Sequence, residues 1–259
     1  MNKPGYYAAD DVLAVRSELQ QWFETDLGQE LITLEQQKVS RILPELFGYH
    51  ILQLGCLENY RLLASSRISH KIISSLVLDN KTESVSSLVC SNHALPIASD
   101  TMDVVIMPHI LEFESNPHQL LRESERILIG EGHIVIIGFN PVSFWGLTRL
   151  FFIWSDSPPW CGHYVGLTRL KDWLKLLGFE ITAIERFYFR PPIQNSNIMQ
   201  RLLFIEKVGR ICWPFWGGIY LLVAKKRVTP VTPVKMQWQK RRRMIASGAA
   251  EPSTRVIKN

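Results

Sequence analysis

Two short uncharged runs, Val104-Val105-Ile106-Met107 and Ile134-Val135-Ile136-Ile137, constrain this chain more than any other feature. Each is too brief for a helix and lacks the polar alternation of a half-wet strand, so each is predicted to be a strand buried on both faces, as parallel strands are. Pro108 ends the first. Ser115 or Asn116 then caps a helix with Pro117 in its first turn, where a missing N–H costs nothing. Leu120, Leu121, Ile127 and Leu128 share one face of that helix, and Arg122, Glu123, Glu125 and Arg126 take the other. Gly130 is the expected left-handed stop. A crossover between parallel strands is right-handed in nearly all proteins, and such a unit needs similar units beside it to bury its faces.

The flanking sequence supplies them. Helices are expected over Leu13–Phe23 and Leu27–Phe47, and a first strand over His50–Leu54. Strands two and three fall in Lys71–Asp79 and Glu83–Cys90. Beyond Pro141, Ser143–Trp154 reads as an aromatic-rich helix. Thr168 is the expected cap of a helix over Arg169–Leu177, stopped by Gly178 and followed by a strand over Phe179–Tyr188. A helix over Ile198–Val208 and an apolar strand over Ile219–Ala224 complete the series. No Pro/Gly/Ser-rich linker divides the middle of the 259 residues, so one α/β domain over 48–225 is expected, with a helical cap over 1–47 and a tail over 226–259.

With the strand–helix–strand unit at its centre, the chain resembles a class I S-adenosylmethionine-dependent methyltransferase. The resemblance rests on the order Leu95-Pro96, Asp103-Val104-Val105, His109-Ile110-Leu111-Glu112, Leu120-Leu121-Arg122-Glu123, Arg126-Ile127-Leu128 and a final apolar strand. The segments Pro108 to Phe113 and Gly138-Phe139-Asn140-Pro141 resemble a narrower bacterial subfamily. This implies a Rossmann-like sheet of seven mostly parallel strands flanked by helices, the seventh inserted antiparallel, with S-adenosylmethionine as cofactor. In the family an acid and three alternate glycines follow the first strand, because the backbone turns sharply beneath the methionine moiety. Here Gln53 replaces the acid, Gly55 is kept, and Leu57 and Asn59 stand for the later glycines. By the same resemblance Asp79 at the end of the second strand matches the acid that binds the ribose, with a turn aspartate as the equal alternative. Ser91 and its neighbour Asn92 stand near the adenine position, and Pro108 and His109 near the methyl group.

Methyl transfer needs the nucleophile held in line and water excluded, with a base only when the acceptor must lose a proton. His109, just after the fourth strand, is the candidate base, with a packing or positioning histidine as the blander reading. Glu112 reads as a cap or ion-pair partner. Asn140 and Tyr164 are candidate substrate contacts, the former equally a turn residue, the latter in a Ser155–Gly166 loop placed to act as a lid.

Charge and cysteine usage bound the rest. The net charge of +5 hides an asymmetry: residues 225–259 carry ten basic side chains and one acid, a net +9, leaving −4 on residues 1–224. Lys240–Arg243 with Trp238 could hold nucleic acid or an anionic membrane surface, or simply be solvated and disordered. Cys56, Cys90, Cys161 and Cys212 form no Cys-x-x-Cys pair, which suggests neither a metal site nor a disulfide framework and fits a reducing, cytoplasmic location. The uncharged stretches Ile134–Thr148 and Ile211–Ala224 are broken by Gly, Asn or Pro and fall short of the roughly 20 residues a spanning helix needs. A small-molecule acceptor is favoured. The alternative is an eroded methyltransferase-like binding or scaffold protein.

Overall fold

The computed structural model describes residues 9–55, 62–75, 86–90, 92, 94–151, 158–193 and 201–228. The chain divides into two units, Met1–Val228 and Thr229–Asn259. The second, with its basic cluster, lies outside the described residues, as do Asp79 and Ser91.

Seven strands form one sheet: β1 His50–Leu54, β2 His70–Ser75, β3 Ser86–Val89, β4 Met102–Pro108, β5 Leu128–Phe139, β6 Phe179–Phe187 and β7 Ile219–Lys226. Their order is β3-β2-β1-β4-β5-β7-β6. Strands β1 to β5 run parallel, and β7 is inserted antiparallel between β5 and β6. The α-helices among the described residues are α1 Ala9–Phe23, α2 Asp26–Ile42, α3 Pro117–Ile127, α4 Phe144–Phe151, α5 Leu167–Leu176 and α6 Leu203–Cys212. This is the expected Rossmann-like methyltransferase architecture.

Side-chain alternation along the strands divides the core. Ile51, Val104, Ile106, Val135 and Ile137 face α1 and α2, whose Leu19, Phe23, Leu27 and Leu31 cover them. Leu52, Val105, Ile134 and Ile136 face the opposite layer with Leu120 and Leu121 of α3 and Leu170 and Leu174 of α5. Both faces of β4 and β5 are therefore buried, which is why these strands read as unbroken apolar runs.

The central unit forms with the expected cap: the Asn116 side chain accepts from the Gln119 amide and Pro117 opens the helix. Arg126 grips the preceding loop, donating to the carbonyls of Leu95 and Ile97 while paired with Glu123. Gly130, however, does not stop α3. The helix ends at Ile127, Leu128 turns at once into β5 to bury its side chain, and the left-handed residue is Glu131, with φ 67°. Thr168 likewise is not the cap of α5: Gly166 holds that position, two residues earlier than expected, because Leu167 is buried. Gly178 does stop α5, with φ 81° and its amide bonded to the Lys175 carbonyl. The last helix is described over Leu203–Cys212 and runs past the expected end at Val208, while residues 198–200 of the expected span lie outside the described residues.

Candidate cofactor and acceptor site

In open α/β sheets ligands collect at the carboxyl ends of the strands. Here that edge is built by the ends of β1, β4 and β5. At the end of β1, Gly55 has φ 84°, a conformation an L side chain adopts only with strain. Its amide donates to the Ser74 carbonyl on β2, so the chain turns at a fixed point. Gln53 is buried beside it: Nε2 donates to the Gly55 carbonyl at 3.1 Å, and Oε1 has no hydrogen-bond partner among the described residues. A buried acceptor left open is costly unless something donates to it.

At the end of β4, His109 sits in the left-handed region with φ 47° and is 1% exposed. Its Nε2 donates to Glu35 of α2 at 2.8 Å, and its Nδ1 lies 3.8 Å from Glu112, an ion-pair distance rather than a hydrogen bond. Burial is the largest single effect and disfavours the imidazolium, but Glu35 and Glu112 together outweigh it, and the pKa rises to about 10. At neutral pH His109 is thus a cation between two buried carboxylates, with no lone pair to accept a proton. Glu112 meanwhile accepts from the Phe139 amide at 2.6 Å, tying β4 to β5. Neither Glu35 nor this tie was legible in the sequence, because residues 35 and 109 are neighbours only in space.

Pro108 is buried in register with Ile137. Asn92 is buried and donates to Glu114 at 2.8 Å. Asn140, at the end of β5, uses its whole side chain on backbone: Nδ2 donates to the carbonyls of Val142, Phe215 and Gly217, and Oδ1 accepts from the Val142 amide. It shapes the wall by joining the β5 end to the turn before β7. Asn140→Ala is expected to destabilise the protein by about 2 kcal/mol, seen as a lower thermal midpoint, since the buried Gly217 carbonyl and the half-buried carbonyls of Val142 and Phe215 lose their donor together.

Aromatic rings close around Phe139. His109 lies 4.3 Å away between centroids, Tyr164 stacks at 5.1 Å and Trp145 at 5.3 Å. Trp22, Trp160 and Tyr188 surround Trp145. The segment carrying Tyr164 is fastened down: the His163 amide donates to the Glu112 carbonyl, Tyr220 Oη to the Val165 carbonyl, and Arg149 Nε to the Trp160 carbonyl while its guanidinium faces the Tyr164 ring. Within this aromatic cluster Tyr164 Oη, Trp145 Nε1 and Glu112 Oε2 are buried with no hydrogen-bond partner among the described residues. Burial, then the negative charge of Glu112, pushes the Tyr164 phenol well above its usual range, so it stays a donor.

The family model for the methyltransferase domain (Methyltransf_11) matches residues 52–136, which span β1 to most of β5 and hold Gln53, Gly55, His109 and Glu112. Over these residues the chain carries a methyltransferase domain. The protein YafS of Escherichia coli K12 is 29% identical over 231 residues, covering 88% of this chain and 90% of its own. The fold is shared with an S-adenosylmethionine-dependent methyltransferase from Mesorhizobium loti (17% identity, TM-score 0.53, 73% of this chain and 96% of that one). It is shared as well with one from Archaeoglobus fulgidus (21%, TM-score 0.55, 75% and 94%). A Haloferax volcanii chain in complex with the methyltransferase activator Trm112 superposes with TM-score 0.59 at 16% identity, over 83% and 98%. The cofactor implied for the domain is S-adenosylmethionine. The described part of its edge fits that group: the left-handed turn at Gly55 brings backbone close without a side chain in the way, and Gln53 Oε1 is an open buried acceptor suited to an ammonium or N–H donor. No helix among the described residues is long and apolar enough to cross a membrane.

Proposed function

We propose that the protein is an S-adenosylmethionine-dependent methyltransferase acting on a small-molecule acceptor at the carboxyl edge of β1, β4 and β5. The observation that carries this reading is the buried, open Gln53 acceptor beside the left-handed Gly55. Gln53 and Gly55 hold the amino-acid end of the cofactor, Asp79 its ribose, and Ser91 and Asn92 flank its adenine, while Pro108 and His109 border the reacting centre. The bound cofactor supplies an electrophilic methyl group on a sulfonium.

The chain's own part is placement and exclusion of water. An acceptor beside Phe139 meets stacked rings that fix its plane, and Tyr164 Oη and Trp145 Nε1 are the donors left to orient it. A wall of packed aromatic side chains at this edge suits a compact, ring-bearing or apolar molecule better than a macromolecule. His109 serves as a fixed cation that positions Glu112 and the ends of β4 and β5, rather than as a base. Asn140 belongs to the wall and does not touch the acceptor.

Calorimetry with S-adenosylmethionine and S-adenosylhomocysteine tests the reading; no heat at millimolar ligand would overturn it. Gln53→Leu sharpens the test. It should weaken binding by about tenfold while lowering the thermal midpoint of the free protein by only a few degrees, since the open acceptor is removed together with the Nε2 bond to the Gly55 carbonyl. Undiminished affinity in that variant would place the cofactor elsewhere.

A further inference from the structure

Around Asn140 the molecule presents a ridge that its own core does not use. On α4, Leu147 and Leu150 are exposed, the latter 63%; at the end of α6 and in the turn before β7, Ile211, Trp213 and Phe215 are 82%, 56% and 67% exposed and Trp216 is close behind. Soluble proteins scatter single exposed apolar side chains, but a contiguous aromatic group on two converging segments marks a contact surface. These segments are held in place: Trp216 packs edge-on against Phe144 at 5.6 Å, and Asn140 bonds the carbonyls of Val142, Phe215 and Gly217. The projection is therefore built into the fold.

Charge selects the partner. Arg210, next to Ile211, is exposed, Arg201 is exposed just ahead of α6, and Arg186 lies over the Phe215 ring. Glu206, the acid of α6, is occupied on both oxygens by the amides of Tyr188 and Phe189. A second copy docked face to face would set arginines against arginines. A ridge of Trp, Phe and aliphatic side chains flanked by cations instead matches the boundary between anionic headgroups and acyl chains. We propose that this ridge docks the protein on an anionic lipid surface, without a spanning segment, and so turns the β5 end toward the membrane. The inference does not depend on the methyl-transfer reading.

The test is flotation of the full chain with vesicles of phosphatidylcholine alone and with added phosphatidylglycerol. Binding is expected to the second, to decline with salt, and to drop by at least about tenfold in Trp213→Ser/Phe215→Ser, whose two substitutions lie on exposed positions. Arg201→Glu/Arg210→Glu should reduce it further at low salt. Cofactor binding by calorimetry, or the thermal midpoint, should be unchanged in both variants. The proposal fails if the native chain does not float, or if the aromatic variant floats equally well. It fails too if neutralising Lys240–Arg243 to Gln alone abolishes flotation, which would assign the attachment to the C-terminal cluster. A concentration-dependent dimer that the aromatic variant loses would make the ridge an interface between copies and equally overturn it.

Discussion

His109→Asn is expected to lower the unfolding free energy by about 3–5 kcal/mol, because it removes one cation from between two buried carboxylates and leaves their charge uncompensated. Asparagine tolerates the left-handed backbone at φ 47°, so the loss reports charge rather than strain. For a unit of this size the thermal midpoint should fall by roughly 10 °C. The cycle with Glu35→Leu separates the pair from its parts: the double variant should lose about 2 kcal/mol less than the two singles together. Additivity would show that the 2.8 Å contact carries no coupling and would remove His109 as the pin between α2 and β4.

The same group predicts a pH signature. Its folded pKa, about 10, lies above the unfolded value near 6.5, so the folded state binds the proton more tightly. The stabilisation is fully present below about pH 6.5 and is lost as pH rises through 10, with unfolding releasing a proton across that window. Thermal midpoints measured from pH 6 to 10 should decline in the native protein and decline less in His109→Asn. Parallel curves would mean that the imidazole is neutral when folded.

The second large effect is at Gly55. Gly55→Trp places an indole at the carboxyl edge of β1, where the nearest neighbour of an added Cβ is Ile110 at 3.5 Å, and demands φ 84° of an L residue. The strain costs about 1–2 kcal/mol of stability. Affinity for S-adenosylmethionine should fall by about a hundredfold or more, because the side chain occupies the ligand's approach. Measured by calorimetry well below the variant's melting point, an unchanged affinity would move the cofactor away from this edge.

The strand pattern was readable because burial on both faces leaves an unambiguous mark: Val104–Met107 and Ile134–Ile137 lie inside β4 and β5. Asn116-Pro117 and Gly178 were readable because caps and stops are local chemistry. Gly130 and Thr168 misled for the opposite reason. Each matches a local signal, but burial of Leu128 and Leu167 decided where the helices end and begin. The site was only half legible. Gly55 announces itself by type, whereas the pairing of Glu35 with His109 spans 74 positions and leaves no periodic trace. Asn140 read equally as a ligand contact or a turn residue; its four bonds to backbone are visible only once residues 215–217 fold back onto it.

The place of β7 also bears on how the chain reaches its native state. β5 and β6 never pair with each other; β6 joins the sheet only through residues 219–226, which also cover the edge of β5. During synthesis, every strand up to β6 can emerge while β5 still presents a long apolar margin with unpaired amides and carbonyls, the kind of surface that recruits other chains. A chain shortened before Ile219 should therefore accumulate as aggregate rather than as a slightly weakened protein. Ribosome-bound intermediates ending between 187 and 218 should be the ones that engage chaperones most persistently.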